Sequence, residues 1–119
     1  MLKNSFYTLQ DENAGPDSFT AKATYNAAHE IFSGHFPGQP VVPGVCTMQM
    51  IKELMEEQTG KKLLLQSTGQ VKFLQLILPD VQPLINISWK EAEDGYMVTA
   101  SLKNDTTDIF KMTGLFAVV

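Results

Sequence analysis

HFPGQPVVPGVCTMQMIKEL, His35 to Leu54, is the stretch on which the reading of this chain turns. A histidine is followed by Pro37-Gly38, Pro40 and Pro43-Gly44, and then by a run free of both glycine and proline. Proline fixes φ and removes a donor, whereas glycine lets another group come close to the backbone. The first half therefore reads as a rigid, tightly turned strap. Proline suits a first helical turn, where its missing N–H is not needed, so a helix is expected from near Pro43 to about Gln58. Gly60 is its C-terminal stop.

Outward from this helix the chain reads as strands. Ser18 to Asn26 alternates, with Phe19, Ala21, Ala23 and Tyr25 on one face and Thr20, Lys22, Thr24 and Asn26 on the other. Phe6 to Gln10 is a second strand, joined to it through a Gly15-Pro16-Asp17 turn. After the helix, Leu63 to Ile77 is apolar with a bend or bulge expected at Gly69. Leu84 to Lys90 puts Ile85, Ile87 and Trp89 on one side. Asp94-Gly95 and Asn104-Asp105 mark turns, around strands Tyr96 to Lys103 and Ile109 to Val118. One long helix among five or six antiparallel strands is an α+β layout, in which a sheet curled round the helix would bury most apolar residues.

Length and composition bound the rest. With 119 residues, 44% hydrophobic and 18% charged, residues 1–119 are expected to form one globular domain. No apolar run nears the roughly 20 residues of a membrane span. The N-terminus has no signal-peptide core, so a cytoplasmic location is expected. Cys46 is the single cysteine, which excludes an internal disulfide. A net charge of −4 argues against nucleic acid as a partner. All 9 basic residues are lysines, so a phosphate-bearing partner would be held by lysines and backbone N–H groups rather than by arginine forks.

Gly34-His35-Phe36-Pro37-Gly38-Gln39-Pro40-Val41-Val42-Pro43-Gly44-Val45 resembles the signature of the 3-hydroxyacyl-[acyl-carrier-protein] dehydratases of fatty-acid synthesis, which are hotdog-fold proteins. That signature runs close to G-H-F-P-G-x-P-x-x-P-G-V and is followed by a helix. A weaker likeness is Val71-Lys72-Phe73 through Leu78-Pro79-Asp80, which lacks the family's glycine and its middle basic residue. Together the two motifs cover about a quarter of the chain. The resemblance implies a hotdog domain, one central helix wrapped by a curved antiparallel sheet. It implies a substrate carried on the phosphopantetheine of acyl carrier protein or coenzyme A, with no metal or redox cofactor. It also implies a homodimer, or a higher hotdog oligomer, with the site at the interface between subunits.

Dehydrating a 3-hydroxyacyl thioester needs a base for the proton beside the carbonyl, a stabiliser for the enolate-like oxygen, and an acid for the departing hydroxyl. His35 has the ordinary pKa range of a base at neutral pH. Backbone N–H groups at Gly44 and Val45 start a helix, where developing negative charge is favoured. Phe36, Pro37, Gly38, Val45 and Phe73 are the expected substrate-contacting residues. In the family a Glu or Asp lies on the helix fourteen residues after the histidine; here that position is Gln49. Glutamine can hydrogen-bond a hydroxyl but cannot supply a proton. Glu53, one turn later, and Glu30 are the nearby carboxylates. Three functions therefore stay open: a dehydratase of reduced or altered activity, an acyl-thioester hydrolase on the same fold, or a non-catalytic carrier-binding or heterodimer partner.

Each residue also has a plainer reading. Gln49 shares a helical arc with Lys52, Glu53 and Glu56, which a solvated face would explain. Cys46 reads as a small buried hydrophobe, and His29 as a surface or helix-start contact. Met48, Met50 and Met55 read first as core, though an acyl tunnel would use the same residues, and Phe32, Phe36 and Phe73 share that ambiguity. Lys61, Lys62 and Lys72 are solvated by default and are candidate contacts for a carrier or a coenzyme A phosphate. Glu91 to Asp94 is a solvated hairpin end.

Overall fold

Alternation of apolar and polar residues resolves into six antiparallel strands in the computed structural model, which describes residues 1–34 and 40–119. The strands are β1 (Tyr7–Ala14), β2 (Ser18–Tyr25), β3 (Leu63–Phe73), β4 (Leu84–Ala92), β5 (Gly95–Asn104) and β6 (Thr107–Val118). Two helices, α1 (Glu30–Gly34) and α2 (Gly44–Thr59), lie between β2 and β3. The sheet order is β1-β2-β4-β5-β6-β3. The chain thus leaves the sheet at β2, forms its helices, and returns at the far edge as β3. β4 then fills the place beside β2, and two hairpins carry the sheet back to β3.

One face of every strand and the inner side of α2 share a single core. In β2 the expected residues Phe19, Ala21, Ala23 and Tyr25 are all buried, and in β4 so are Ile85, Ile87 and Trp89. From α2 come Met50, Ile51, Leu54 and Met55, all but inaccessible. Fully burying such side chains contributes roughly 1.5–3 kcal/mol each, so this packing, more than helix propensity, holds α2 in place. Pro43 precedes α2 with φ −62° and ψ 141° and supplies no side-chain cap. Gly60 ends it in the left-handed region, φ 70°, with its N–H donating to Glu56 O.

The structure departs from the sequence reading in several places; the first strand, for one, runs on to Ala14 rather than ending at Gln10. The strand after α2 stops at Phe73, not Ile77: the Leu74 and Gln75 N–H groups converge on Ile109 O, at 3.0 and 3.4 Å, and Val42 N–H donates to Ile77 O at 2.7 Å. The segment after β3 is therefore tied to the strap entering α2. Asp94, φ 66°, takes the left-handed turn position, while Gly95 opens β5. Gly95 is needed there because a Cβ would run into the Phe116 carbonyl of β6. Glu53, placed by its helical arc among solvated residues, is 2% exposed. The bulge expected at Gly69 is present: the β3–β6 register shifts between Thr68 and Gln70, and Gln70 N–H donates to Thr113 Oγ1 at 3.0 Å.

Candidate active site

The start of α2 gathers the described site residues. Gly44 is the first helical residue. A Cβ on it would lie 2.8 Å from Phe73 Cζ, so the end of β3 lays an aromatic ring on the helix N-terminus. Phe110 of β6 backs that ring with centroids 5.1 Å apart. Cys46 and Thr47 N–H groups donate to Pro43 O at 3.0 and 3.3 Å. The Gly44 and Val45 N–H groups have no acceptor among the described residues. Such free donors at the positive end of a sixteen-residue helix favour an anionic oxygen.

Gln49 follows on the same side of α2. Together with Val45, Met48 and Lys52, and with Leu65 and Phe116 from β3 and β6, it lines an open groove of about 240 Å³. Leu65 and Phe116 are register partners across the two strands, which is how the sheet places both opposite the helix. Val45 is 74% exposed at the mouth of this groove. The structure therefore brings Gly44 to Phe73 and Val45 to Gln49. His35, Phe36, Pro37 and Gly38 lie outside the described residues.

Glu53 is the residue whose part the sequence did not disclose. Its carboxylate accepts hydrogen bonds from Leu2 N (2.9 Å), Lys3 N (3.1 Å), Tyr7 Oη (3.2 Å) and Gln49 Nε2 (3.1 Å). Burial pushes the carboxyl up, but these donors outweigh it and hold it below the usual carboxylate value. A carboxyl held in its charged form is a poor proton donor, so Glu53 is ill suited to act as a general acid. Tyr7 is pushed up in turn, first by burial and then by the Glu53 charge. The signal that could have found Glu53 was weak: an i, i+4 pairing with Gln49 on one helix face.

The plainer readings hold for several residues. Cys46 is buried, and burial raises its thiol pKa, which leaves it a small hydrophobe and not a nucleophile. His29 Nδ1 accepts from Ile31 N at 3.1 Å where α1 begins, with its ring edge-on to Phe6. Met50, Met55 and Phe32 are core, whereas Met48 is the methionine in the groove. Lys72 is exposed, and Lys61 sits 5.7 Å from the Tyr96 ring centroid. No group of three or more metal-ligating side chains occurs among the described residues.

Known proteins place these features in a family. The model of the ApeI-like family, described as ApeI dehydratase, matches residues 10–111. The 3-hydroxyacyl-[acyl-carrier-protein] dehydratase FabZ of Pediococcus pentosaceus is 30% identical over 109 residues, 84% of this chain and 73% of that protein. FabZ of Clostridium acetobutylicum is 32% identical over 63 residues, and the match spans 47% of this chain but only 43% of that protein. Among solved structures, the dehydratase heterocomplex ApeI:P from Xenorhabdus doucetiae superposes with a TM-score of 0.77 at 19% identity, over 92% of this chain and 96% of the other. A hypothetical thioesterase with coenzyme A from Streptococcus pneumoniae gives a TM-score of 0.68 at 11% identity, covering 98% and 91%. At such identities the structural likenesses establish the hotdog fold alone. The family follows from the match that runs from β1 into β6 and takes in the strap, the helix and every groove residue but Phe116: this chain belongs to the ApeI-like dehydratases.

Proposed function

We propose that this chain dehydrates 3-hydroxyacyl thioesters carried in the cytoplasm on a phosphopantetheine arm, of acyl carrier protein or coenzyme A. His35 removes the proton beside the carbonyl. The thioester oxygen gathers the resulting charge and is met by the N–H groups of Gly44 and Val45. The bond from the third carbon to its hydroxyl then breaks. The proton that His35 took is passed to the leaving oxygen, so water departs and the protons balance without a second acid. Gln49 hydrogen-bonds the hydroxyl and holds it for that transfer. The observation that carries this reading is the groove beside Gln49, which opens at a helix start with two donors that have no acceptor among the described residues. Phe36, Pro37 and Gly38 supply the rest of the thioester cradle, and Phe73 covers Gly44.

A second copy of the chain, or a homologous partner, completes the site. β3 is an edge strand, and Val45, Leu64, Phe73 and Leu76 stand exposed at or near it. An unpaired edge with apolar side chains is a surface that proteins normally cover. The solved ApeI:P structure is described as a heterocomplex, which supports looking for an unlike partner as well as a like one.

The test is turnover of a short 3-hydroxyacyl thioester and its enoyl product by the purified chain, beside His35→Ala. Dehydration is expected as a change in enoyl absorbance with no thiol released, and it should vanish in the variant. Thiol release would instead show a hydrolase. Neither signal, with retained affinity for an acylated carrier, would show a binding partner.

A further inference from the structure

A carboxylate without a proton can only accept hydrogen bonds. Gln49 must therefore turn its NH₂ toward Glu53, as the 3.1 Å contact records, and its carbonyl oxygen away from it. Glu53 is itself fixed from three sides, by the Leu2 and Lys3 amides, by the Tyr7 hydroxyl of β1, and by its own buried position on α2. Free rotation of Gln49 would otherwise let either end of its amide face the groove.

We propose that Glu53 is a positioning residue that sets the Gln49 amide and so makes its carbonyl oxygen the atom offered to the substrate. The consequence is selectivity at the third carbon. A 3-hydroxyl can donate to that oxygen; a 3-oxo group has no proton to give and meets an acceptor. The N-terminal segment is part of this device, since its backbone donors keep the carboxylate charged and still. The inference rests on Gln49 facing the substrate as proposed above, and its test separates the two.

The side-chain amide resonances of Gln49, assigned by their loss in Gln49→Ala, are followed in the wild type, in Glu53→Gln and in Tyr7→Phe. Tyr7→Phe also removes a hydrogen bond to Glu53 but leaves the Gln49 contact in place. Expected are a downfield, slowly exchanging Nε2 proton in the wild type and in Tyr7→Phe, and a shift toward free-amide values in Glu53→Gln. Beside this, binding of a non-reducible 3-oxoacyl analogue relative to a 3-hydroxyacyl thioester should rise about tenfold in Glu53→Gln, the scale of one charge-assisted hydrogen bond, and stay put in Tyr7→Phe. Free-amide resonances already in the wild type overturn the proposal, even if Glu53→Gln does not fold. So does a Glu53→Gln variant that changes the ratio no more than Tyr7→Phe. A wild type that turns over no thioester while the resonances behave as expected refutes the dehydratase reading and leaves the positioning intact.

Discussion

Gln49→Glu replaces a donor with an acceptor at the contact that organises the groove. The introduced carboxyl would stand where Nε2 now lies, 3.1 Å from a Glu53 oxygen. At that separation, with an effective dielectric of about 20, two full charges repel by about 5 kcal/mol, equivalent to nearly 4 pKa units. Gln49 is half-buried and Lys52 lines the same groove, so side-chain relaxation and screening reduce this. A rise of about 2 units, or about 3 kcal/mol, is the working figure. Glu53 keeps its charge because three other donors remain, so the introduced carboxyl is the group that holds the proton. The sign follows. A carboxyl whose folded pKa exceeds its unfolded value of about 4.3 carries no penalty below that pH, and a growing one as pH rises through the folded pKa. Protonated, it donates to Glu53 and restores the wild-type contact. Thermal unfolding followed by circular dichroism should therefore give stability within about 1 kcal/mol of the wild type at pH 5. At pH 8 the variant should melt about 10 °C lower, at about 4 °C per kcal/mol for a chain of this size. If dehydration occurs as proposed, the same proton gives the site a true acid, and turnover should rise as pH falls below about 7. A stability difference that does not change between pH 5 and pH 8 would refute the reasoning.

Other outcomes follow from particular contacts. Gly44→Ala sets a methyl against the tip of the half-exposed Phe73 ring, which can swing aside; melting should fall by less than about 4 °C, about 1 kcal/mol, while thioester turnover drops and recovers in Gly44→Ala/Phe73→Leu. Gly95→Ala meets the Phe116 backbone carbonyl, which cannot yield without parting β5 from β6; chemical denaturation should show a loss of about 3 kcal/mol or more. Tyr7 and Tyr25 are both pushed above their ordinary value of 10.0, chiefly by burial. Their neutral forms stabilise the fold up to that pH and the benefit fades as pH rises beyond it. Stability measured between pH 9 and pH 11 should fall less steeply in Tyr25→Phe, whose hydroxyl has no hydrogen-bond partner among the described residues.

Strands and helix were legible because their signals are local. Period-two alternation in Ser18–Tyr25 and Leu84–Ala92 states which face is buried whatever the partner strand is. Gly60 announces the end of α2 because a left-handed residue is needed where the helix stops. The strap motif led to the family because several punctuating residues at fixed offsets constrain one backbone path. The turn at Asp94-Gly95 was located to within a residue, but the role of its glycine was misread. Only the approach of β6 shows that Gly95 serves strand packing and not the turn.

Sequence alone thus determined the element order, the buried faces and the long helix. Tertiary structure decided what Gln49 and Glu53 are. On a helical wheel both fall on a polar arc, and polarity by itself reads as solvent. The donors that bury Glu53 come from Leu2, Lys3 and Tyr7, 51, 50 and 46 residues away. Phe73 meets Gly44 for the same kind of reason: β3 returns to the far edge of the sheet and ends beside the start of α2. Hydrogen bonds and van der Waals contacts act over a few ångströms in space, and no spacing along a chain encodes which distant residue folding will bring that close.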